Sequence, residues 1–282
     1  MPKVNQIKLR QDADTAERAG RFDKAIDALK QVVAENPRDW NTVNRIGDLY
    51  GKLNNAKLAN EQYIKVANYF RDDGFFLKAI AVWKKVLRNE PGLLEGHLSL
   101  GDLYAKQGLA AEAKQTFNLV VDEYIKRSKK REAGEVLRRL AEVDPADMKV
   151  RMRVAEFYAW EGNQERAAGE YAAIADDLVK KGLLAEALQL LERGLRGGAR
   201  SARLRSAAAR VHIVQKDFVR ATSLLEEARR AAPADREIAL RLAEALLGAK
   251  RPDDARGVLG ELLAIEPGDV EVRQQLGQVC LA

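Results

Sequence analysis

The sequence predicts an all-α chain of about sixteen antiparallel helices arranged as a repeat. Three observations lead there. Ala, Leu, Arg, Glu and Lys dominate a chain of 282 residues that holds only seven Pro, and those side chains lose little rotamer freedom in a helix. Small residues recur at Ala25, Ala59, Ala79, Ala113, Ala133, Ala167, Ala187, Ala221 and Ala255, at intervals of 34, 20, 34, 20, 34, 20, 34 and 34. Turn signals fall between the amphipathic stretches, at Gly20, Asn54, Gly74, Gly108, Gly162 and Gly182 and at Pro37, Pro91, Pro145, Pro233 and Pro267.

The elements follow in order. Residues 1–39 read as one helical hairpin, with Ala13 and Ala25 on facing helices. A second small-residue series runs through Gly47, Ala67, Gly101, Ala155, Ala175, Ala209 and Ala243 and is broken only by Val121. A small residue on each helix of a crossing pair lets the backbones approach, and larger neighbours fill the flanks, here Ile46, Tyr50, Leu100, Tyr104, Val154 and Tyr158. Residues 40–201 read as three 54-residue modules opening near Trp40, Leu94 and Met148. Each adds three helices, because one helix per module carries both the second-helix pattern of one repeat and the first-helix pattern of the next. Those shared helices are expected over about Ala56–Asp72, Leu109–Arg127 and Gln164–Lys180. Residues 202–267 return to two plain 34-residue repeats. Residues 268–282 form a cap or half-repeat, with Val272, Leu276 and Val279 inward and Arg273, Gln274, Gln275 and Gln278 toward water.

These residues resemble the tetratricopeptide repeat (TPR), a 34-residue helix-turn-helix with small residues at positions 8 and 20 and Pro near 32. The best copies are Asp39–Phe70 with its IGDLY, Leu93–Tyr124 with its LGDLY, and the stretches 202–233 and 236–267. The resemblance implies a right-handed superhelix, an α-solenoid spanning 1–282 as one domain, whose groove is lined mainly by first-helix side chains. By position, these are Arg10, Asp14, Asn41, Asn44, Arg45, Asp48, Asp102, Lys106, Glu156 and Trp160. Some family members grip a peptide's terminal carboxylate there with neutral and basic donors. Asp14 and Asp48 stand where neutral donors are wanted, so that clamp is not expected. The segment Val66–Leu87 is also similar to bacterial multi-repeat scaffold proteins, some of which serve motility and polarity assemblies.

No catalytic constellation, metal cluster or phosphate loop is legible, so no catalytic residue, metal ligand or cofactor is expected. His97 and His212 each stand alone at a packing position, and Gly197-Gly198 reads as a helix stop. The single Cys280 cannot close an internal disulfide, the first residues carry no apolar leader, and no stretch approaches a membrane span; a cytoplasmic protein is expected.

The formal net charge is +6, and two clusters are basic: Lys126–Arg139, and Arg196–Arg210 with Arg196, Arg200, Arg203, Arg205 and Arg210. They suit an acidic protein or peptide, or nucleic acid less readily, since no aromatic residue interrupts either cluster to stack on bases. Trp160 is the expected aromatic anchor. Of Phe75 and Phe76 one is expected to pack inward, with Phe76 retained as a contact candidate, and Trp83 is expected in the core. The function expected is a non-enzymatic adaptor or scaffold. Nucleic-acid binding, or service as the repeat portion of a longer regulator, stands as the alternative. The last helix, lacking a hairpin partner, leaves room for a second copy of the chain.

Overall fold

A computed structural model describes residues 6–196 and 201–281, with side chains through Val279. Among the described residues there are sixteen α-helices and no strand: α1 (Gln6–Arg18), α2 (Phe22–Glu35), α3 (Trp40–Lys52), α4 (Ala56–Asp72), α5 (Phe76–Asn89), α6 (Leu94–Lys106), α7 (Ala110–Lys126), α8 (Lys130–Val143), α9 (Met148–Trp160), α10 (Gln164–Lys180), α11 (Leu184–Arg196), α12 (Ala202–Val214), α13 (Phe218–Ala231), α14 (Arg236–Gly248), α15 (Pro252–Ile265) and α16 (Val270–Leu281). The shared helix expected over Leu109–Arg127 is shorter by one residue at each end. None is long and apolar enough to cross a membrane. The helices gather into two compact units, one ending at Asp144 and the other beginning at Pro145.

Among the described residues, two kinds of turn join the helices. In the first, a single residue with positive φ sits between a helix end and the next N-cap: Gly20, Asn54, Gly74, Gly108, Ser128, Gly162, Gly182, Lys216 or Lys250. In each, the residue after it donates its backbone N–H to a carbonyl five residues back, as Phe75 does to Phe70 at 2.7 Å and Asn163 to Tyr158 at 2.9 Å. That is the hydrogen bond of a Schellman motif, which satisfies a carbonyl the helix end would otherwise leave bare. The second kind is one residue longer and carries Pro37, Pro91, Pro145, Pro233 or Pro267 with no positive φ. Asp39, Asn55, Asp147, Asn163, Asp217, Asp235 and Asp269 then cap the following helix by accepting a backbone N–H. Within each compact unit, both turns are short enough to force sequence neighbours antiparallel.

In the unit ending at Asp144, the small residues sit where rings need space. A Cβ added to Gly47 would lie 2.7 Å from the Tyr63 ring, and one added to Gly101 would lie 2.6 Å from the Phe117 ring. Ala25, Ala59, Ala79 and Ala113 are fully buried, and Trp83 is 2% exposed among them, a core residue. In the unit beginning at Pro145, Ala155, Tyr171, Leu191 and Leu204 belong to one core cluster, and Leu225, Leu242, Leu259 and Val272 belong to another. Val272 and Val279 of α16 are buried and Arg273, Gln274 and Gln278 are exposed, as the sequence suggests, while Leu276 and Gln275 are both half-buried.

A charge bridge recurs with the 54-residue spacing. Lys85 Nζ meets Asp48 at 2.6 Å, Arg139 Nη1 meets Asp102 at 3.1 Å, and Arg193 Nη2 meets Glu156 at 2.6 Å. Every partner is separated by 37 residues. In each case a cation on α5, α8 or α11 reaches an anion on α3, α6 or α9, across the helix packed between them.

Candidate functional site: a groove across α10, α12 and α14

In the unit beginning at Pro145, α10, α12 and α14 border an open groove of about 800 Å³. Its α12 wall is built by helical spacing: Arg203, Ser206 and Arg210 fall at i, i+3 and i+7, on one face. Ala172, Ala173 and Ala207 keep the floor low, so that long side chains alone define its rim.

The charges here are organised. Arg210 pairs with Asp176 of α10. Arg241 of α14 donates to the buried Ser206 hydroxyl at 2.9 Å and pairs with Glu237 one turn back. Asp235 is committed to capping α14 through the Ile238 N–H at 3.1 Å. Arg203 is exposed and makes no ion pair with a described residue. Glu165 likewise stands open at the α10 end. The groove therefore offers one cation and one anion for an outside ligand, plus two arginines already held in place.

Of the residues singled out in the sequence, Arg203 and Arg210 meet in this groove. Glu156, Trp160 and Arg196 belong to the same unit and do not line it. Glu156 is held by Arg193, Arg196 pairs with Glu192 at 3.0 Å, and Trp160 is 53% exposed with its ring 5.8 Å from that of Phe157. Arg200 and the Gly197-Gly198 pair lie outside the described residues, as does the side chain of Cys280.

In the other unit, most of the polar side chains expected to line a groove are engaged by other side chains of the chain. Arg10 pairs with Asp39; Arg45 reaches Asp14 at 2.5 Å and Glu17 at 2.6 Å; Asn44 donates to Asp48 at 3.5 Å, which also accepts the Tyr63 hydroxyl at 2.7 Å. Burial together with that bond to Asp48 pushes the Tyr63 hydroxyl well above its ordinary value. Asn41 is exposed. Asp102 and Lys106 share a smaller hollow of about 410 Å³ with Arg71, Arg139 and Glu142. Burial there holds the Asp102 carboxyl above the usual carboxylate range, although Arg139 and Lys106 oppose it. Phe75, at 48% exposed, is the more open of the two phenylalanines, and Phe76 is half-buried beneath the Lys106 ammonium, 5.6 Å from the ring centre.

Several members of the basic clusters pair with carboxylates of neighbouring turns or helices. Lys126 and Arg127 pair with Glu123, Arg139 with Asp102, Arg205 with Glu227 at 2.9 Å, and Arg210 with Asp176. His97 takes part in a hydrogen bond with the Pro91 carbonyl at 2.9 Å, and His212 is 9% exposed. Among the described residues no group of three or more His, Cys, Asp or Glu could hold a metal ion.

Sequence reasoning missed Ser206, Asp176, Glu165 and Arg241. The spacing from Arg203 could have found Ser206, whereas Asp176 and Arg241 arrive from other helices and leave no local signal.

Tetratricopeptide-repeat sequence models match residues 11–68, 64–128 and 212–279, most of the chain, and the protein belongs to the tetratricopeptide-repeat family. No curated protein sequence matches it. Among solved structures, the Naa15/Naa10 complex bound to HypK-THB aligns with a TM-score of 0.52 and 15% identity over 97% of this chain and 44% of that one, so this chain spans under half of its length. The first TPR of Spaghetti (RPAP3), bound to an HSP90 peptide, aligns at 18% identity and a TM-score of 0.38 over 40% of this chain and 93% of that one. A thermophilic TPR protein of Thermus thermophilus aligns at 20% identity and a TM-score of 0.35, covering 79% of this chain and all of that one. At 15% identity the first of these alignments speaks to the fold alone.

Proposed function

We propose that this protein is a non-enzymatic adaptor that holds a segment of another protein in the groove across α10, α12 and α14. The observation that carries the reading is the groove itself: about 800 Å³, open, floored by alanines, and rimmed by arginines fixed in place by Asp176, Ser206 and Glu237. Side chains already held lose little further freedom when a ligand arrives, so more of each contact appears as affinity. Arg203, without an ion pair among the described residues, favours an acidic residue in the bound segment. Membership of a repeat family supports the same reading, since stacked repeats build extended binding surfaces. A cytoplasmic setting and service in a bacterial motility or polarity assembly belong to the same proposal, the latter resting on the resemblance of Val66–Leu87 to bacterial scaffolds. The alternative reading as a nucleic-acid binder is the less favoured, because no aromatic residue stands in either basic cluster to stack on bases.

The test uses the full chain as bait in an extract of its own cells, eluted in salt steps, beside Arg203→Glu and Arg210→Glu. A discrete protein retained by the parent chain and lost with both variants carries the proposal. Retention that ignores both substitutions removes the groove as the site, and bulk nucleic acid released by salt restores the other reading.

A further inference from the structure

A second hollow, of about 690 Å³, opens on the other side of α10, between α9 and α11. Ile174 and Leu178 on its α10 floor project from the opposite side of the helix to Ala172 and Asp176, which face the first groove. The remaining apolar lining is Met148 and Met152, both half-buried, with Leu190 below and Leu183 at the lip, 40% exposed.

Two 54-residue steps earlier, the first copy has aromatic side chains at the equivalent positions. Met148, Leu178 and Leu183 correspond to Trp40, Phe70 and Phe75. There the chain supplies its own aromatic cluster: Trp40 stacks on Tyr69 at 4.6 Å and 18°, and Phe70 meets Phe75 edge-on at 6.3 Å. In the later copy every one of those rings is absent. Asp177 stands where Tyr69 would be and is turned to Arg151 at 2.9 Å, leaving no stacking partner at that position.

The charges at the edge are also changed. Lys149 and Arg196, with Arg193, surround the hollow against the lone carboxylate of Glu186. Lys149 makes no ion pair with a described residue. The pairs that Arg193 and Arg196 make with Glu156 and Glu192 lie at the surface, where such bridges are weak and easily exchanged.

We infer that the hollow between α9 and α11 is a second docking site, which takes a large aromatic side chain from a partner segment with acidic residues on either side of it. The partner's ring occupies the space that Trp40 and its neighbours fill in the first copy, and its carboxylates meet Lys149, Arg193 and Arg196. Methionines suit the task, since their unbranched, polarizable side chains adjust to an inserted ring.

The test is an array of short synthetic peptides with a central Trp, Leu or Ala flanked by acidic, neutral or basic residues, probed with the full chain and followed by affinity measurements. Peptides with Trp between acidic residues are expected to bind best. Leu183→Glu, which puts a charge on the exposed lip, and Met148→Trp, which supplies the missing ring internally, should each weaken that binding by about tenfold or more. Arg210→Glu, in the first groove, should leave it unchanged. Helical content by circular dichroism shows that the variants fold, and Leu183→Glu decides the matter if Met148→Trp does not. The inference is overturned if no acidic Trp peptide binds, if binding survives Leu183→Glu, or if Arg210→Glu abolishes it. It is equally overturned if light scattering shows a dimer that Leu183→Glu dissolves, for then a second copy is the occupant.

Discussion

Lys216 and Lys250 hold positive φ angles of 61° and 60° at turns where six of their counterparts have Gly or Asn. A side chain in that conformation brings Cβ toward the following carbonyl, at a cost of about 1–2 kcal/mol. Lys250 is exposed, so Lys250→Gly removes the clash and forfeits no packing. The greater freedom of Gly in the unfolded chain takes back part of the gain, and a net stabilisation of about 0.5–1 kcal/mol is expected in urea unfolding. These positions also mark how far the sequence could be read. Gly20, Gly74 and Asn54 announce their turns, but Ser128, Lys216 and Lys250 adopt the same geometry with no residue-type signal, because helix spacing alone imposes it. His212 gives a second expectation. Burial lowers its pKa below the ordinary 6.5, although Asp217 opposes this from 3.9 Å. The unfolded chain then binds a proton that the folded chain refuses, so this contribution to stability is whole above pH 6.5 and declines as pH falls below it. Melting temperature followed downward from neutral pH should drop less steeply in His212→Gln than in the parent chain.

At the scale of the element, the helices were largely legible. The expected shared helices Ala56–Asp72 and Gln164–Lys180 coincide with α4 and α10, and α7 departs by one residue at each end. Periodicity and turn residues are local signals, and both fix helices. The roles of the polar first-helix residues were much less legible. Arg45, Asp48, Asp102 and Glu156 occupy positions that the family resemblance assigns to a groove, yet each is held by a side chain at least 28 residues away. Nothing near Asp102 in the sequence points to Arg139. The close crossing of α6 with α7 makes its own prediction. Gly101→Ala would gain about 1 kcal/mol of helix propensity but would press a methyl into the Phe117 ring, itself 1% exposed. Overpacking of that kind costs about 1–3 kcal/mol, so a net loss of roughly 1 kcal/mol is expected by chemical denaturation. The corresponding position in the next copy is Ala155, in one core cluster with Tyr171 and fully buried, and Ala155→Gly should lose about 1 kcal/mol of propensity together with the packing of a buried methyl.

At the scale of the whole molecule, stability in a repeat protein is close to a sum over neighbouring pairs, with no single central core to lose. The chain contains two compact units meeting in sequence at Asp144 and Pro145, each with its own buried alanines, leucines and aromatic rings. A fragment ending at Asp144 is therefore expected to remain helical and to unfold cooperatively, as judged by circular dichroism through a urea titration. Noncooperative loss of signal would show that this unit depends on the rest of the chain. The repeat could be read from the sequence because small residues recur at fixed spacing in nearly every copy, Val121 being the exception, whereas the hollows could not, because each is bounded by side chains from helices far apart in sequence.

The thrice-repeated charge bridge has a consequence for evolutionary inference. Asp48, Asp102 and Glu156 are interchangeable in role, as are Lys85, Arg139 and Arg193. In an alignment of descendants, compensating substitutions at any one bridge would produce the same covariation signal in three places. A contact map drawn from that signal without regard to copy number would join Asp48 to Arg139, and so invent proximity between residues that share only their ancestry. Genuine partners are separable from these echoes by their constant spacing of 37 residues.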